Sequence, residues 1–486
     1  MIAMRTRSKN TANAALLLLC VAQLMVLLDA SIVQIALPSI QQEFGAASGR
    51  LQWITTAYTL CFGGFLLVGS RLGDRFGRRR TLAAGAWLFA LASAAAGFAP
   101  AFGVLIAARA LQGLSAALIA PMVFVFVAAL FPEGPPRNRA MGILGSVSAV
   151  GFVTGLILGG TLTEWFGWRA VFFLTVLTGL LVAAALPILP ADRAGDRRPL
   201  DLAGAMAATL GIGCLVLALS EGGTKRDAYW TVLLLALSVL LLALSVLLLA
   251  LFVRIERAAA HLLLPLNLLS GQAFSGAAVA AFLFGSVIGP SIFMLTLYMQ
   301  QAMAFEPLRA AAAFLPQELT VILVANLAGR WISRFGTRPV LLAGATAFAL
   351  GSWRLSQLAA QDAYLAHILP GTVLIGIGVG CIMVGSSVAM TNGLARDDQE
   401  AAAGLWNVAP QIGASVSLAM LVSAADWFSR GQLLHAPQSP EALAGYRAAF
   451  AALLIYTVII GTGIWLLLRR PAPACRDRAA GSRSME

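Results

Sequence analysis

The chain has 486 residues, 59% of them hydrophobic and 11% charged, with a formal net charge of +12 at pH 7. Its mean hydropathy of +0.85 lies outside the range of soluble globular chains and identifies an integral membrane protein. The basic residues are scattered over short loops with no folded basic domain, which suits an anionic membrane surface and argues against nucleic acid.

Apolar segments of about 20 residues, each able to cross roughly 30 Å of hydrocarbon as a helix, recur along the chain. We read fourteen: 14–37, 51–70, 81–99, 103–126, 139–162, 168–189, 202–220, 231–253, 272–300, 308–328, 339–357, 364–389, 401–425 and 447–468. The Leu, Ala, Val and Gly content, without alternating ten-residue segments, predicts an all-α bundle and not a β-barrel. The basic start followed by "ALLLLCVAQLMVLL" is too long for a signal peptide and lacks a small-x-small cleavage site, so it reads as a retained first span. With the N-terminus inside, 24 of the 33 Lys and Arg residues fall in inner segments, 8 in outer ones, and Arg109 within a span. The positive-inside rule then places both termini in the cytoplasm, and the membrane expected is an inner (cytoplasmic) one.

In chain order, span 1 carries Asp29 past its middle. A carboxylate at that depth needs a partner, a proton or a water path, so Asp29 is either a group that cycles between charge states or one that bonds a neighbour near a wet cavity. The stretch "LLVGSRLGDRFGRRRTL", Leu66 to Leu82, joins spans 2 and 3 with five arginines and Asp74. Arg109 is the lone cation within an apolar span and must find a carboxylate, carbonyl or water. Gly151, Gly155 and Gly159 share one helix face and allow close backbone approach.

Glu318 sits about ten residues into span 10, roughly 15 Å deep at 1.5 Å per residue, behind Pro316. Two carboxylates, one in each half, can couple a proton to a cationic substrate by competing for occupancy; a merely solvated Glu318 is the alternative. Gln112, Asn326, Asn407 and Gln411 are amides expected to face the interior, for substrate or for neighbouring helices. Phe62, Phe65, Phe124, Phe284, Phe293, Tyr298 and Trp406 are candidate cavity aromatics, with ordinary packing as the competing role. Cys20, Cys61, Cys214 and Cys381 lie inside spans and Cys475 in the tail, so no disulfide framework or metal site is expected. No phosphate-binding glycine loop is present, which argues against ATP as the energy source.

The first charged loop has a partner. "RLGDRFGRR", Arg71–Arg79, aligns without gaps to "RWISRFGTR", Arg330–Arg338, with Arg71/Arg330, Arg75/Arg334, Phe76/Phe335, Gly77/Gly336 and Arg79/Arg338 identical. The copies join spans 2–3 and 10–11, so two six-helix halves are separated by two additional spans. The expected division is 1–190 for the N-terminal bundle, 191–260 for two linking helices, and 261–486 for the C-terminal bundle with its tail. Parallel six-helix halves are a plan of secondary transporters, with substrate near mid-membrane and alternating access.

Four blocks resemble the major facilitator superfamily, and within it the fourteen-span drug:proton antiporters of the EmrB/QacA type. They are "LDASIVQIALPSI" (Leu28–Ile40), "GSRLGDRFGRRR" (Gly69–Arg80), "ARALQGLSAA" (Ala108–Ala117) and "GFVTGLILGGTL" (Gly151–Leu162). The resemblance implies the major facilitator fold of two six-helix bundles plus two inserted helices, fourteen transmembrane helices in all. It also implies proton coupling through Asp29 and Arg109, to which the depth of Glu318 adds a third candidate. Gly73, Asp74, Arg75, Gly77 and Arg78 would form a cytoplasmic switch latched in the outward-facing state. Gly151, Gly155, Gly159 and Gly160 would form a dry seam between the halves. Two departures stand out: Leu156 replaces the usual Pro of the span-5 motif, and Ser333 replaces Asp74 in the second loop copy.

The function expected is proton-driven efflux of small amphipathic, cationic compounds by a non-enzymatic carrier with no cofactor beyond the proton gradient. Expected partners are the small-molecule substrate, protons and the lipid bilayer, with accessory export proteins beside a functional monomer. Export of one specific metabolite or antibiotic, or proton symport, is the alternative. A non-transporting membrane sensor or scaffold belongs to another class and would carry a soluble signalling domain, which the sequence lacks.

Overall fold

The computed structural model describes residues 9–132, 134–190, 202–220, 228–258, 271–359, 364–391, 396–430 and 432–468. The predicted spans fall on long helices, numbered here in chain order, except that the span 308–328 is broken at Phe314 into a short helix and a long one. They are α1 Lys9–Phe44, α2 Trp53–Phe76, α3 Arg78–Gly97, α4 Phe102–Leu130, α5 Pro135–Phe166, α6 Arg169–Ala185, α7 Leu202–Ser220, α8 Ala228–Ala258, α9 Gln272–Leu297, α10 Leu315–Phe335, α11 Thr337–Leu355, α12 Tyr364–Thr391, α13 Arg396–Ser429 and α14 Pro440–Leu467. A short helix, Pro307–Ala313, precedes α10, and a π-turn, Tyr298–Ala302, ends α9.

Among the described residues, nine helices are long and apolar enough to cross a membrane, or ten if the two parts of α2 make one span. The two parts meet at 51° between Leu66 and Val68, flanked by Gly63-Gly64 and Gly69-Ser70, the type of sequence at which helices kink. The apolar stretches of α7 and α8 are shorter, Met206–Leu219 and Val239–Leu251. The expected domain limits near 190 and 260 fall at or inside stretches outside the described residues, as do Cys475 and the arginines of the tail.

Helix packing repeats along the chain. The pairs α1–α5, α2–α4, α3–α4 and α3–α6 recur as α9–α13, α10–α12, α11–α12 and α11–α14. The two charged loops share this equivalence. Gly77 (φ 97) and Gly336 (φ 85) each form the whole turn between two helices, a backbone setting that glycine adopts without a Cβ clash. The repeated Arg-Phe-Gly is therefore a repeated corner.

Small residues set the closest approaches. A Cβ on Gly155 would meet Ser31 Oγ at 2.0 Å and Leu28 O at 2.8 Å, and one on Gly159 would meet Ile32 O at 2.6 Å. Gly151 faces Leu24, so the glycine stripe of α5 matches the i, i+4, i+8 stripe of α1. In the other half, Gly285 of α9 meets Pro410 O, and Gly413 of α13 meets Phe282 O. The expected seam between halves is thus corrected for three of the four glycines. Gly151, Gly155 and Gly159 join α5 to α1 within one half, because they face the helix nearest to them in that bundle. Gly160 faces the other way and packs on Pro307, Leu308 and Ala311.

Candidate functional site

The charged side chains buried among the described residues are Asp29, Arg109 and Glu318. The first two meet. Arg109 Nη1 donates to Asp29 Oδ2 at 2.7 Å, with side-chain exposures of 2% and 0%. Arg109 also donates from Nε to Ile54 O at 3.1 Å and from Nη1 to Gln112 Oε1 at 2.9 Å. Gln112 Nε2 in turn donates to Asp29 Oδ1 at 3.1 Å and to Ser93 Oγ at 2.8 Å. The guanidinium carbon lies 4.5 Å from the centre of the Tyr58 ring, within the range of a cation–π contact.

This arrangement follows from helix geometry. Arg109 and Gln112 are three residues apart on α4 and so point to the same side, where α1 brings Asp29 and α3 brings Ser93. α2 supplies Tyr58 and the Ile54 carbonyl; a Cβ on Gly113 would meet Tyr58 O at 2.2 Å, so this glycine permits the close approach of α2. Of the partners open to a buried Arg109, a carboxylate, a carbonyl or water, it takes the first two together. A buried pair of this kind is held by its extra hydrogen bonds, since Coulomb attraction alone does not reliably offset desolvation.

Glu318 stands differently. It lies in the first turn of α10, 5% exposed, and accepts a bond from Gln317 Nε2 at 3.3 Å. Among the described residues no salt bridge reaches it. Pro316 lacks an N–H, and the break at Phe314 separates the Pro307–Ala313 turn from α10.

The remaining candidates do not converge. Gln112 belongs to the Asp29 network. Tyr298 is buried, with its hydroxyl donating to Ala359 O at 3.1 Å and its ring against Tyr446, 5.2 Å between centres; it and the fully buried Phe293 are packing residues of the second half. Asn326 is exposed and donates back to Ile322 O of its own helix at 2.7 Å. Trp406 Nε1 donates to Ser386 Oγ at 3.1 Å, tying α13 to α12. Asn407 and Phe284 are half-buried. Gln411 packs on Gly63 of α2, near Phe62, Phe65 and Val408, and Phe124 is 40% exposed.

At the loop switch, Asp74 Oδ1 lies 3.7 Å from Arg78 Nη2 on exposed surface. Gly73 lets Met122 of α4 approach, Arg75 lies over Phe76, and Gly77 makes the corner. The second copy keeps the arginine-on-phenylalanine contact at Arg334 and Phe335. Its equivalents of Asp74 and Arg78 are Ser333 and Thr337, so both members of the ion pair are missing.

Sequence reasoning missed Ser93 and Tyr58, small polar and aromatic residues with no distinguishing motif. It also missed a polar contact set at the end opposite the arginine loops. There Gln301 Nε2 donates to Gln41 Oε1 at 2.6 Å, Gln300 Nε2 to Ile35 O at 2.9 Å, and Leu308 N to Glu164 Oε2 at 3.0 Å. Each bond joins the first half to the second.

Comparison with known proteins agrees with this architecture. Residues 19–418 match the family described as Major Facilitator Superfamily. The cephamycin export protein of Amycolatopsis lactamdurans is 36% identical over 477 residues, 96% of each chain. The puromycin resistance protein of Streptomyces alboniger is 34% identical, over 96% of this chain and 93% of that one. The tetracenomycin C resistance and export protein of Streptomyces glaucescens is 33% identical, over 84% and 74%. Among solved structures, the POT family transporter PepTSo superposes with a TM-score of 0.67 at 13% identity, over 94% of this chain and 99% of that one. The nucleoside transporter NupG gives 0.66 at 9% identity, over 94% and 100%.

Proposed function

Because the chain belongs to the major facilitator superfamily, a family of membrane-embedded transporters, we propose that it is an efflux carrier that exchanges small amphipathic, cationic compounds for protons by alternating access. The observation that carries this reading is the set of charges buried among the described residues: an ion pair, Asp29–Arg109, in one half and, in the other, Glu318, which no described cation reaches. A proton from outside neutralises Asp29, releases Arg109 from its carboxylate, and leaves to the cytoplasm when the pair reforms. Glu318 holds either a proton or a cationic substrate, so that the two ligands compete. The relatives, which are export and resistance proteins, support the outward direction.

The same reading assigns the chain to the fourteen-span EmrB/QacA type, in an inner membrane with both termini cytoplasmic, working as a monomer with no cofactor. Loops 71–80 and 330–338 then face the cytoplasm, and the bonds of Gln41, Gln300, Gln301 and Glu164 close the outer side. Asp74 makes only a local pair with Arg78 among the described residues, as expected of a latch that is broken in the inward-facing state.

A narrower reading is favoured by the relatives' names, which include single antibiotics: export of one antibiotic-like compound. Both are tested in proteoliposomes with an imposed pH gradient, using ethidium, a quaternary ammonium compound, puromycin, lincomycin and a cephamycin as substrates. Gradient-driven flux of several cations supports the broad reading. Flux of one compound supports the narrow one, and no gradient-dependent flux of any of them rejects proton-coupled export of these classes.

A further inference from the structure

The halves touch along two seams at the end away from the arginine loops. On one, α13 lies against α2 and the short helix Ser48–Leu51 that precedes it; on the other, α5 lies against the short helix Pro307–Ala313 that precedes α10. These two short helices are equivalents. Gly49 and Leu308 stand at the same spacing as Arg71 and Arg330 of the repeated loop, and so do Arg50 and Arg309. Each of the latter arginines lies over a phenylalanine ring, Arg50 at 5.2 Å from the centre of Phe102 and Arg309 at 4.1 Å from that of Phe305.

Each short helix meets a carboxylate of the opposite half at its second residue. Glu164 Oε2 of α5 accepts the Leu308 N–H at 3.0 Å. Asp426 Oδ2 of α13 lies 3.5 Å from where a Cβ on Gly49 would stand. α5 and α13 hold the same place in their halves, and both acids fall in the last turn of their helix. An acid there faces the negative end of its own helix, an unfavourable position. The first N–H groups of the opposing short helix have no acceptor within it and favour negative charge. Pro307 has no N–H, which leaves Leu308 as the first donor of its helix. Charge that is badly placed within its own half is thus well placed across the seam.

We propose that Glu164 and Asp426 are paired latches, one on each seam, that hold the outer side closed and release together when the carrier opens outward. Both act across the halves, so rocking the halves apart at this end stretches both contacts at once, and neither seam stays shut through the cycle. A hydrogen bond to a carboxylate is about twice as strong as a neutral one, so these closures outweigh a neutral contact such as the Gln301–Gln41 bond between α1 and α9. Removing either carboxylate shifts the population toward the outward-facing state. The inference rests on the alternating-access reading of the transporter and adds to it the groups that set the balance between its states.

The test uses full-length protein in lipid nanodiscs, with Cys20, Cys61, Cys214, Cys381 and Cys475 replaced by Ala and spin labels on Gly103→Cys and Gln357→Cys. Both positions are exposed at the outer ends of the two halves, and a Cβ on Gly103 has nothing within 4 Å. Double electron–electron resonance then reads a shorter distance when the outer side is closed and a longer one when it is open. Glu164→Gln and Asp426→Asn, which remove charge and keep shape, are each expected to raise the longer-distance fraction several-fold, and together to raise it further. Glu164→Asp keeps the charge but is one methylene too short to hold the Leu308 N–H, and should behave as Glu164→Gln does. Should Asp426→Asn not fold, Gly49→Leu, which displaces the carboxylate, takes its place. Unchanged distances in both single variants and the double variant overturn the latches, and a shift with only one of the two acids overturns their pairing. If wild type carries none of the compounds in the flux assay while the distances still shift, the exporter reading fails and the latches stand.

Discussion

The two halves of the molecule repeat their helix packing but not their charge. In the first, α1, α3 and α4 enclose the Asp29–Arg109–Gln112–Ser93 network. In the second, α12, which takes the place of α4, carries no Asp, Glu, Lys or Arg, and the buried carboxylate is moved to Glu318 on α10. The loops repeat the lesson: Gly77 and Gly336 make the same corner, while the Asp74–Arg78 pair has no counterpart at Ser333 and Thr337. Each half brings its helices together through glycines set against the neighbouring backbone. Charge was free to diverge because those contacts do not depend on it.

Breaking the buried pair on one side only is expected to have the largest effect. Arg109→Leu leaves Asp29 buried without its cation, and losses of this type are about 3–5 kcal/mol; thermal unfolding in detergent checks it, and Arg109→Leu with Asp29→Leu should recover part of the loss. Next in size, Gly155→Val drives a side chain into Ser31 and the Leu28 carbonyl. Overpacking of that order costs about 1–3 kcal/mol, read as a lowered midpoint with the helical circular-dichroism signal retained. Leu substituted at Gly142, where nothing lies within 4 Å of the position a Cβ would take, should be nearly neutral.

Glu318→Gln sharpens the contrast between halves. It removes a charge that pairs with no cation among the described residues, so stability should hold or rise slightly, while competition between protons and a cationic substrate is lost; substrate affinity measured at two pH values should become pH-independent. If affinity keeps its pH dependence, Glu318 is a solvated residue only. The smallest effect belongs to the loops. Exposed i, i+4 pairs are worth a few tenths of a kcal/mol, so Asp74→Asn should barely move the unfolding midpoint. Cysteine accessibility on the outer face should nevertheless shift if Asp74 latches the other access state.

Much of the scaffold was legible. Apolar length marked every long helix, the Arg-Phe-Gly repeat marked both corners, and the cost of burying charge marked Asp29, Arg109 and Glu318 before any contact was known. The partners were less so. That Arg109 reaches Asp29 depends on the packing of α1 against α4, which no local pattern encodes. Tyr298 looks like a cavity aromatic in sequence because aromatics are common in spans, and only the Tyr446 contact shows that it is core. The glycine stripe was legible as a close approach, but not which helix approaches. Glu164 and Gln41 lie at helix ends, where polar residues are ordinary and their pairing across the halves leaves no trace.

The account rests on the first half's ion pair coupling protons to transport. The most direct measurement compares Asp29→Asn with wild type in the same proteoliposomes, once for substrate exchange without a pH gradient and once for gradient-driven accumulation. We expect exchange to survive and accumulation to vanish, because the binding surfaces remain while the titrating group is gone. Accumulation undiminished in Asp29→Asn would contradict the account.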